Sequence, residues 1–279
     1  MKTLGVDVNN PSISARYNPY LAGREHWHIP KQIDKIDISP DDGLPVPPQE
    51  LWAGYGTTPA EYLSLGQLHF KRMMELLESS GYIPEIGHRI FEFGCAAGRM
   101  IRNFSGYGKE IEIWGSDISA AHIIWCQQHL SPPIKFLVNT TYPNLPFEQN
   151  YFHMVYAGSV FTHIGDLEDA WLMELRRILT KGGKAFITVH DNHTIKLLLD
   201  SKPGEWLFDT KIRKQLLEYN EEVHFIENGY NLLMLSRDPG NTQVFHDDEY
   251  IEKKWGSIFK VISIVPEAYT YQSAVILEK

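Results

Sequence analysis

Glu92-Phe93-Gly94-Cys95-Ala96-Ala97-Gly98-Arg99 joins two different patterns of apolar residues. Before it, Arg89 to Phe93 is a short apolar run of the kind that forms a buried strand. After it, a helix is expected over about Arg99 to Phe104. Ligands of open α/β sheets collect at the carboxyl ends of strands, and glycine there lets backbone approach a bound molecule closely. The glycines are spaced G-x-x-x-G with Ala96 between them, which departs from the G-x-G-x-x-G of a dinucleotide site and disfavours a nicotinamide dehydrogenase. Glu92 stands two positions before the first glycine, and its charge suits an ammonium or sulfonium compound better than a pyrophosphate.

Outward from this turn the chain alternates. Ile111 to Gly115 is a second strand, ended by Asp117, and is followed by a helix from about Ser119 to His129. Lys135 to Val138 and Phe152 to Ala157 are the third and fourth strands. A helix of period 3.6 then runs from about Leu167 to Leu179 and is expected to end at Gly182-Gly183, before a fifth strand at Ala185 to Val189. Alternation of this kind predicts a doubly wound α/β fold, a parallel sheet with helices on both faces. Residues 58–279 form this domain, interrupted after the fifth strand by an insertion at about 200–246 with a strand at Tyr230 to Leu235. A helix around Asp248 to Trp255 follows, and Lys260 to Val265 and Ser273 to Leu277 close the chain as a candidate antiparallel pair. Upstream, Thr58-Pro59-Ala60-Glu61 carries a cap, a first-turn proline and a capping-box glutamate. Leu63, Leu68, Met73, Leu76 and Leu77 supply an apolar face up to Gly81. Residues 1–57 are irregular and proline-rich but hold Tyr17, Tyr20, Trp27, Trp52 and Tyr55, which predicts an arm or lid that packs over something.

Composition bounds the function. The 279 residues are 43% hydrophobic and 22% charged, as in ordinary globular proteins. Twenty-six basic and 35 acidic residues leave a net charge of −9, so nucleic acid is not the expected partner. No run approaches the ~20 apolar residues of a membrane span. The two cysteines, Cys95 and Cys126, lie in apolar patterns and point to a reducing compartment, the cytoplasm.

Asp117 stands 23 positions after Gly94, a spacing like that of the acidic residue that holds ribose hydroxyls in nucleotide-binding α/β folds. Glu92 and Asp117 together suggest a positively charged adenosine compound. On these residues the chain resembles the class I S-adenosylmethionine-dependent methyltransferases. Glu92, Gly94, Ala96 and Gly98 match the first motif of that family and Asp117 the second. Asn144-Leu145-Pro146-Phe147 with Phe152 to Tyr156 is similar to the entry to its fourth strand, and Leu175 to Gly183 to the lead into its fifth.

The resemblance implies a Rossmann-like sheet of seven strands, mostly parallel with the last antiparallel. It implies S-adenosylmethionine as cofactor and S-adenosylhomocysteine as product. Its cofactor residues would be Glu92, Gly94, Cys95, Ala96, Gly98, Asp117, Ile118, Asn139, Ala157 and Gly158. His153 replaces an aspartate common in the family, and Asn139 stands where many members place an aspartate against the adenine amino group.

Bases for an acceptor should sit at strand carboxyl ends. His163, after the fourth strand, is the first candidate for acceptor base or orienter. His190 follows the fifth, with Asp191 able to fix its tautomer. The histidines of His26-Trp27-His28 and His190 to His193 lack a matched ligand set, so no metal is expected. The expected reaction is O-methylation of a small-molecule hydroxyl, on a sugar or a secondary metabolite, by a monomer or homodimer. Carboxyl- or N-methylation, and a catalytically silent cofactor-binding subunit, remain open at this stage.

Overall fold

The computed structural model describes residues 36–236 and 242–279. Residues 1–35 of the expected arm, with Tyr17, Tyr20 and the His26-Trp27-His28 run, lie outside the described residues, as do positions 237–241 of the expected insertion.

Helix α1, Pro59–Ser79, starts where its sequence signals said it would. Thr58 Oγ1 accepts from Glu61 N at 3.2 Å, while Glu61 Oε2 reaches back to Thr57 N at 2.8 Å. Its buried stripe is Tyr62, Gly66, His69, Met73 and Leu77, whereas Leu68 is 59% exposed. The stripe is thus partly polar and includes a glycine, because at Gly66 the helix packs closely against Arg99, while Met73 and Leu77 enter the apolar core. A Cβ on Gly66 would lie 2.4 Å from Arg99 O.

Seven strands form one sheet in the order β3-β2-β1-β4-β5-β9-β8. The first five, β1 (Arg89–Phe93), β2 (Glu112–Asp117), β3 (Lys135–Val138), β4 (Phe152–Ala157) and β5 (Leu179–Val189), are parallel. The last, β9 (Gln272–Glu278), is antiparallel to β5 and also to β8 (Lys260–Tyr269), as expected for this fold. Alternate strand residues feed two cores. Ile90, Ile113, Met154 and Phe186 pack with α1 and with α2 (Ala120–His129); Phe91, Val155, Ile187 and Val275 pack with α3 (Glu168–Ile178). On α3, Trp171, Leu172, Leu175 and Ile178 are buried, each side chain of this kind contributing about 1.5–3 kcal/mol by leaving water.

Three expectations need correcting. The helix after the glycine turn is a 3-10 helix at Ile101–Glu110, not a helix starting at Arg99. Gly182-Gly183 do not end α3, which stops at Ile178. They lie inside β5, because Gly182 N donates to Lys279 O and Lys279 N to Gly183 O, pairing them with the end of the chain. The strand expected at Tyr230 to Leu235 shortens to β6, Leu232–Met234, and pairs antiparallel with an unexpected strand β7, Val244–His246. Between β5 and β6 stand α4 (Asn192–Asp200), α5 (Lys211–Val223) and α6 (Phe225–Asn228); Leu198, Leu216, Phe225, Leu233 and Phe245 make a third core there. Helix α7, Asp248–Lys254, follows. Among the described residues no helix is long and apolar enough to cross a membrane.

Candidate active site

The glycine turn sits where β1 lies between β2 and β4, the point at which strand order reverses. Its shape comes from positive φ at Gly94 (79°), Ala96 (44°) and Gly98 (83°). Gly94 N and Cys95 N both donate to Ser116 O at 2.8 Å, so the turn folds back on the end of β2. Glycine is required at two positions: a Cβ on Gly94 would stand 2.3 Å from Val160 Cγ2, and one on Gly98 2.4 Å from Leu130 Cδ1. Ala96 N donates to Asp117 Oδ2 at 2.8 Å and Ser119 N to Asp117 Oδ1 at 2.8 Å. The Asp117 carboxylate therefore ties the turn to the start of α2, and each oxygen keeps a second lone pair. Ile118 beside it is half-buried. Cys95 is buried and its thiol is pushed up by desolvation, which makes it a packing group.

Glu92 is buried at the end of β1 and accepts from Tyr156 Oη at 2.9 Å. Burial raises its pKa to about 8, helped by the nearby Asp117 and opposed by Tyr156 and Arg99. Asn139 follows β3, with Nδ2 donating to Thr140 O at 2.9 Å and Oδ1 buried without a partner among the described residues. Ala157 ends β4, and Gly158 after it lies under Tyr269, whose ring would be 3.0 Å from a Cβ there.

These residues fit an adenosine cation. Asn139 Oδ1 is an orphaned acceptor where an adenine amino group would be received, Asp117 is a fixed carboxylate for hydroxyls, and Glu92 is a buried acid whose ionised form a cation would favour.

The histidines separate. His163 Nδ1 is 2.7 Å from Thr242 O; a carbonyl only accepts, so Nδ1 carries the proton and Nε2 is the open base. The residue is exposed on one side and crowded by protein on the others, and desolvation lowers its pKa, so the ring is neutral at neutral pH. His190 is 1% exposed, stacked on Tyr271 at 5.5 Å and tilted against Phe245 at 5.0 Å, and burial lowers its pKa too. The expected pairing of His190 with Asp191 is corrected: among the described residues neither ring nitrogen of His190 bonds the Asp191 carboxylate, and Asp191 Oδ1 instead caps α4 by accepting from Thr194 N at 2.9 Å. His153, at the other end of β4, accepts from Arg89 N at 3.1 Å. Among the described residues no group of three or more metal-ligating side chains exists.

Sequence reading missed a cluster beside the turn. Arg99 is buried under Tyr55, with its guanidinium 3.8 Å from the ring centroid, and contacts His69 and Tyr269. It also missed Gln272, which donates to Ser159 Oγ at 2.9 Å and accepts from Thr188 Oγ1 at 2.7 Å, fixing the loop after β4. Arg99 adjoins Gly98 in the sequence, but adjacency alone does not signal burial.

Residues 91–187 match the family model described as a methyltransferase domain. Among solved structures, a chain of a Haloferax volcanii complex that contains the Trm112 methyltransferase activator is 15% identical. The match covers 82% of this chain and 94% of that one with a TM-score of 0.51. The PH0226 protein from Pyrococcus horikoshii OT3 is 18% identical over 80% of this chain and 97% of that one, also with a TM-score of 0.51. At these identities the structural likeness is one of fold.

Proposed function

We propose that this chain, whose residues 91–187 match a methyltransferase-domain family model, is a class I S-adenosylmethionine-dependent methyltransferase that methylates a hydroxyl of a small molecule such as a sugar or secondary metabolite, with His163 taking the hydroxyl proton. The bound cofactor supplies an electrophilic methyl group on a sulfonium. The chain's own task is to hold the acceptor oxygen in line with it, and positioning of this kind is worth up to about 7–11 kcal/mol.

The 2.7 Å bond from His163 Nδ1 to Thr242 O carries the reading. It leaves a neutral Nε2 lone pair beside the loop after β4, which is what a hydroxyl acceptor needs and an ionised carboxylate does not. Gly94, Ala96 and Gly98 would take the cofactor's backbone contacts, Asp117 its ribose and Asn139 its adenine. His190 and Asp191 would shape the wall behind His163: one is packed between rings, and the other is spent on a helix cap. The two buried free cysteines support a cytoplasmic setting.

His163→Ala should reduce turnover at least about tenfold, at the low end of what a general base contributes, while S-adenosylmethionine affinity by calorimetry is retained. The acidic limb of the pH–rate profile should go with it. Unchanged turnover removes His163 from the mechanism. Labelled methyl donor and product analysis identify the atom methylated.

A further inference from the structure

Arg99 is 6% exposed, and every group it touches among the described residues is uncharged. Nη1 is 3.0 Å from His69 Nδ1, Nη2 donates to Tyr269 Oη, and Tyr55 covers the guanidinium face. His69 is neutral, its pKa lowered to about 3 by burial and by the arginine itself, so it accepts from Arg99 and cannot balance it. The nearby acid is Glu92, which senses the Arg99 charge but forms no ion pair with it. Three residues on, Arg102 is 2% exposed and fully matched: Nε and Nη2 reach the two oxygens of Asp42 at 2.7 and 2.9 Å, and Nη1 and Nη2 also donate to Pro45 O and Leu44 O. A guanidinium out of water calls for a planar anion, and of these two arginines only Arg102 receives one among the described residues.

We propose that Arg99 is the anchor for the α-carboxylate of the S-adenosyl cofactor, with Tyr55, His69 and Tyr269 as its neutral surround. This rests on the cofactor reading above. Arg99 leaves the glycine turn directly, and its partner Tyr269 lies over Gly158 at the end of β4, so the cation stands beside the crevice. The amino-acid end of the cofactor is a zwitterion. An acid and an arginine that are near one another and unpaired, Glu92 and Arg99, are its complement: the carboxyl for the ammonium and the guanidinium fork for the carboxylate. Tyr55 belongs to residues 36–57, which Asp42 fastens to Arg102, so the same segment that closes over Arg99 is held to the next turn of chain.

The test compares S-adenosylmethionine with its decarboxylated form, which keeps the sulfonium and the amine, by calorimetry on wild type, Arg99→Lys and Arg99→Gln. Wild type should prefer the carboxylate-bearing compound about 10- to 100-fold, the range of a hydrogen bond to a charged group. Arg99→Gln should abolish that preference and leave the decarboxylated compound within about 3-fold, with Arg99→Lys between the two. Equal binding of both compounds by wild type, or an equal loss of both in Arg99→Gln, overturns the anchor. So does an unchanged preference in that variant. If Arg99→Gln does not fold by thermal unfolding, the wild-type ratio and Arg99→Lys decide. Wild type that binds neither compound nor S-adenosylhomocysteine overturns the cofactor reading itself, a failure distinct from loss of the anchor alone.

Discussion

Arg99 and Arg102 lie on neighbouring turns of the same stretch, are buried to nearly the same degree, and stand in opposite electrostatic situations. Arg102 is saturated by Asp42 and two carbonyls and serves as a structural rivet. Arg99 has aromatic and imidazole neighbours and no described carboxylate bonded to it. Burial alone thus says little about what a charge is for; the pairing says more. A closed set of partners marks structure, and an incomplete set beside a crevice marks a ligand.

The largest effect should come from opening the closed set. Asp42→Asn leaves the Arg102 guanidinium buried without its counter-charge and should cost about 3–5 kcal/mol in urea unfolding. A cost under about 1 kcal/mol would mean that the carbonyls suffice and that the two arginines differ less than their contacts suggest. Next is Gly66→Ala. Its Cβ would meet Arg99 O at 2.4 Å and Arg99 Cγ at 2.8 Å, so the helix must retreat; overpacking of this size costs about 1–3 kcal/mol and lowers the melting temperature.

Glu92→Gln sharpens the comparison through pH. The native pKa of Glu92 is about 8 against 4.5 for the ordinary group, so between these values the folded chain keeps a proton that the unfolded chain has lost. Its contribution to stability is therefore full below pH 4.5, falls as pH rises toward 8, and is constant above. The slope approaches about 1.4 kcal/mol per pH unit. Against wild type, Glu92→Gln should gain relative stability from pH 5 to 8. Parallel urea curves would mean that Glu92 is already ionised, hence that it is the counter-charge of Arg99, and the contrast between the arginines would disappear. The smallest effect is expected at Asn139→Ala, which removes an unpaired buried oxygen together with the Nδ2 bond to Thr140 O, two changes of opposite sign: unfolding free energy should change by less than about 1 kcal/mol while cofactor affinity falls.

The sheet was largely legible because its signals are local. Apolar runs at β1, β2, β4 and β9, and glycines at positive φ between β1 and the next helix, report backbone requirements that do not depend on distant chain. Apart from the 3-10 helix at Ile101–Glu110, the failures were non-local. Gly182-Gly183 carry a helix-stop composition, yet pair with Lys279. Val244–His246 is too short to show a period and is a strand because Leu232–Met234 lies on one side of it and His190 bridges Phe245 from the end of β5. Leu68 fits an apolar helix face by count but is turned to water, since Gly66 and His69 face the turn instead. Asp191 follows His190 in sequence and still serves Thr194.

Left to itself, the order of residues specifies the doubly wound sheet, the bend at Gly94 to Gly98 and a carboxylate at the end of β2, because these follow from steric freedom and periodicity within a few residues. Tertiary structure alone chose which histidine has its tautomer fixed by a carbonyl and which arginine is neutralised. Those choices depend on groups such as Thr242 and Asp42, 79 and 60 positions away, and an ion or a proton responds to distance in space.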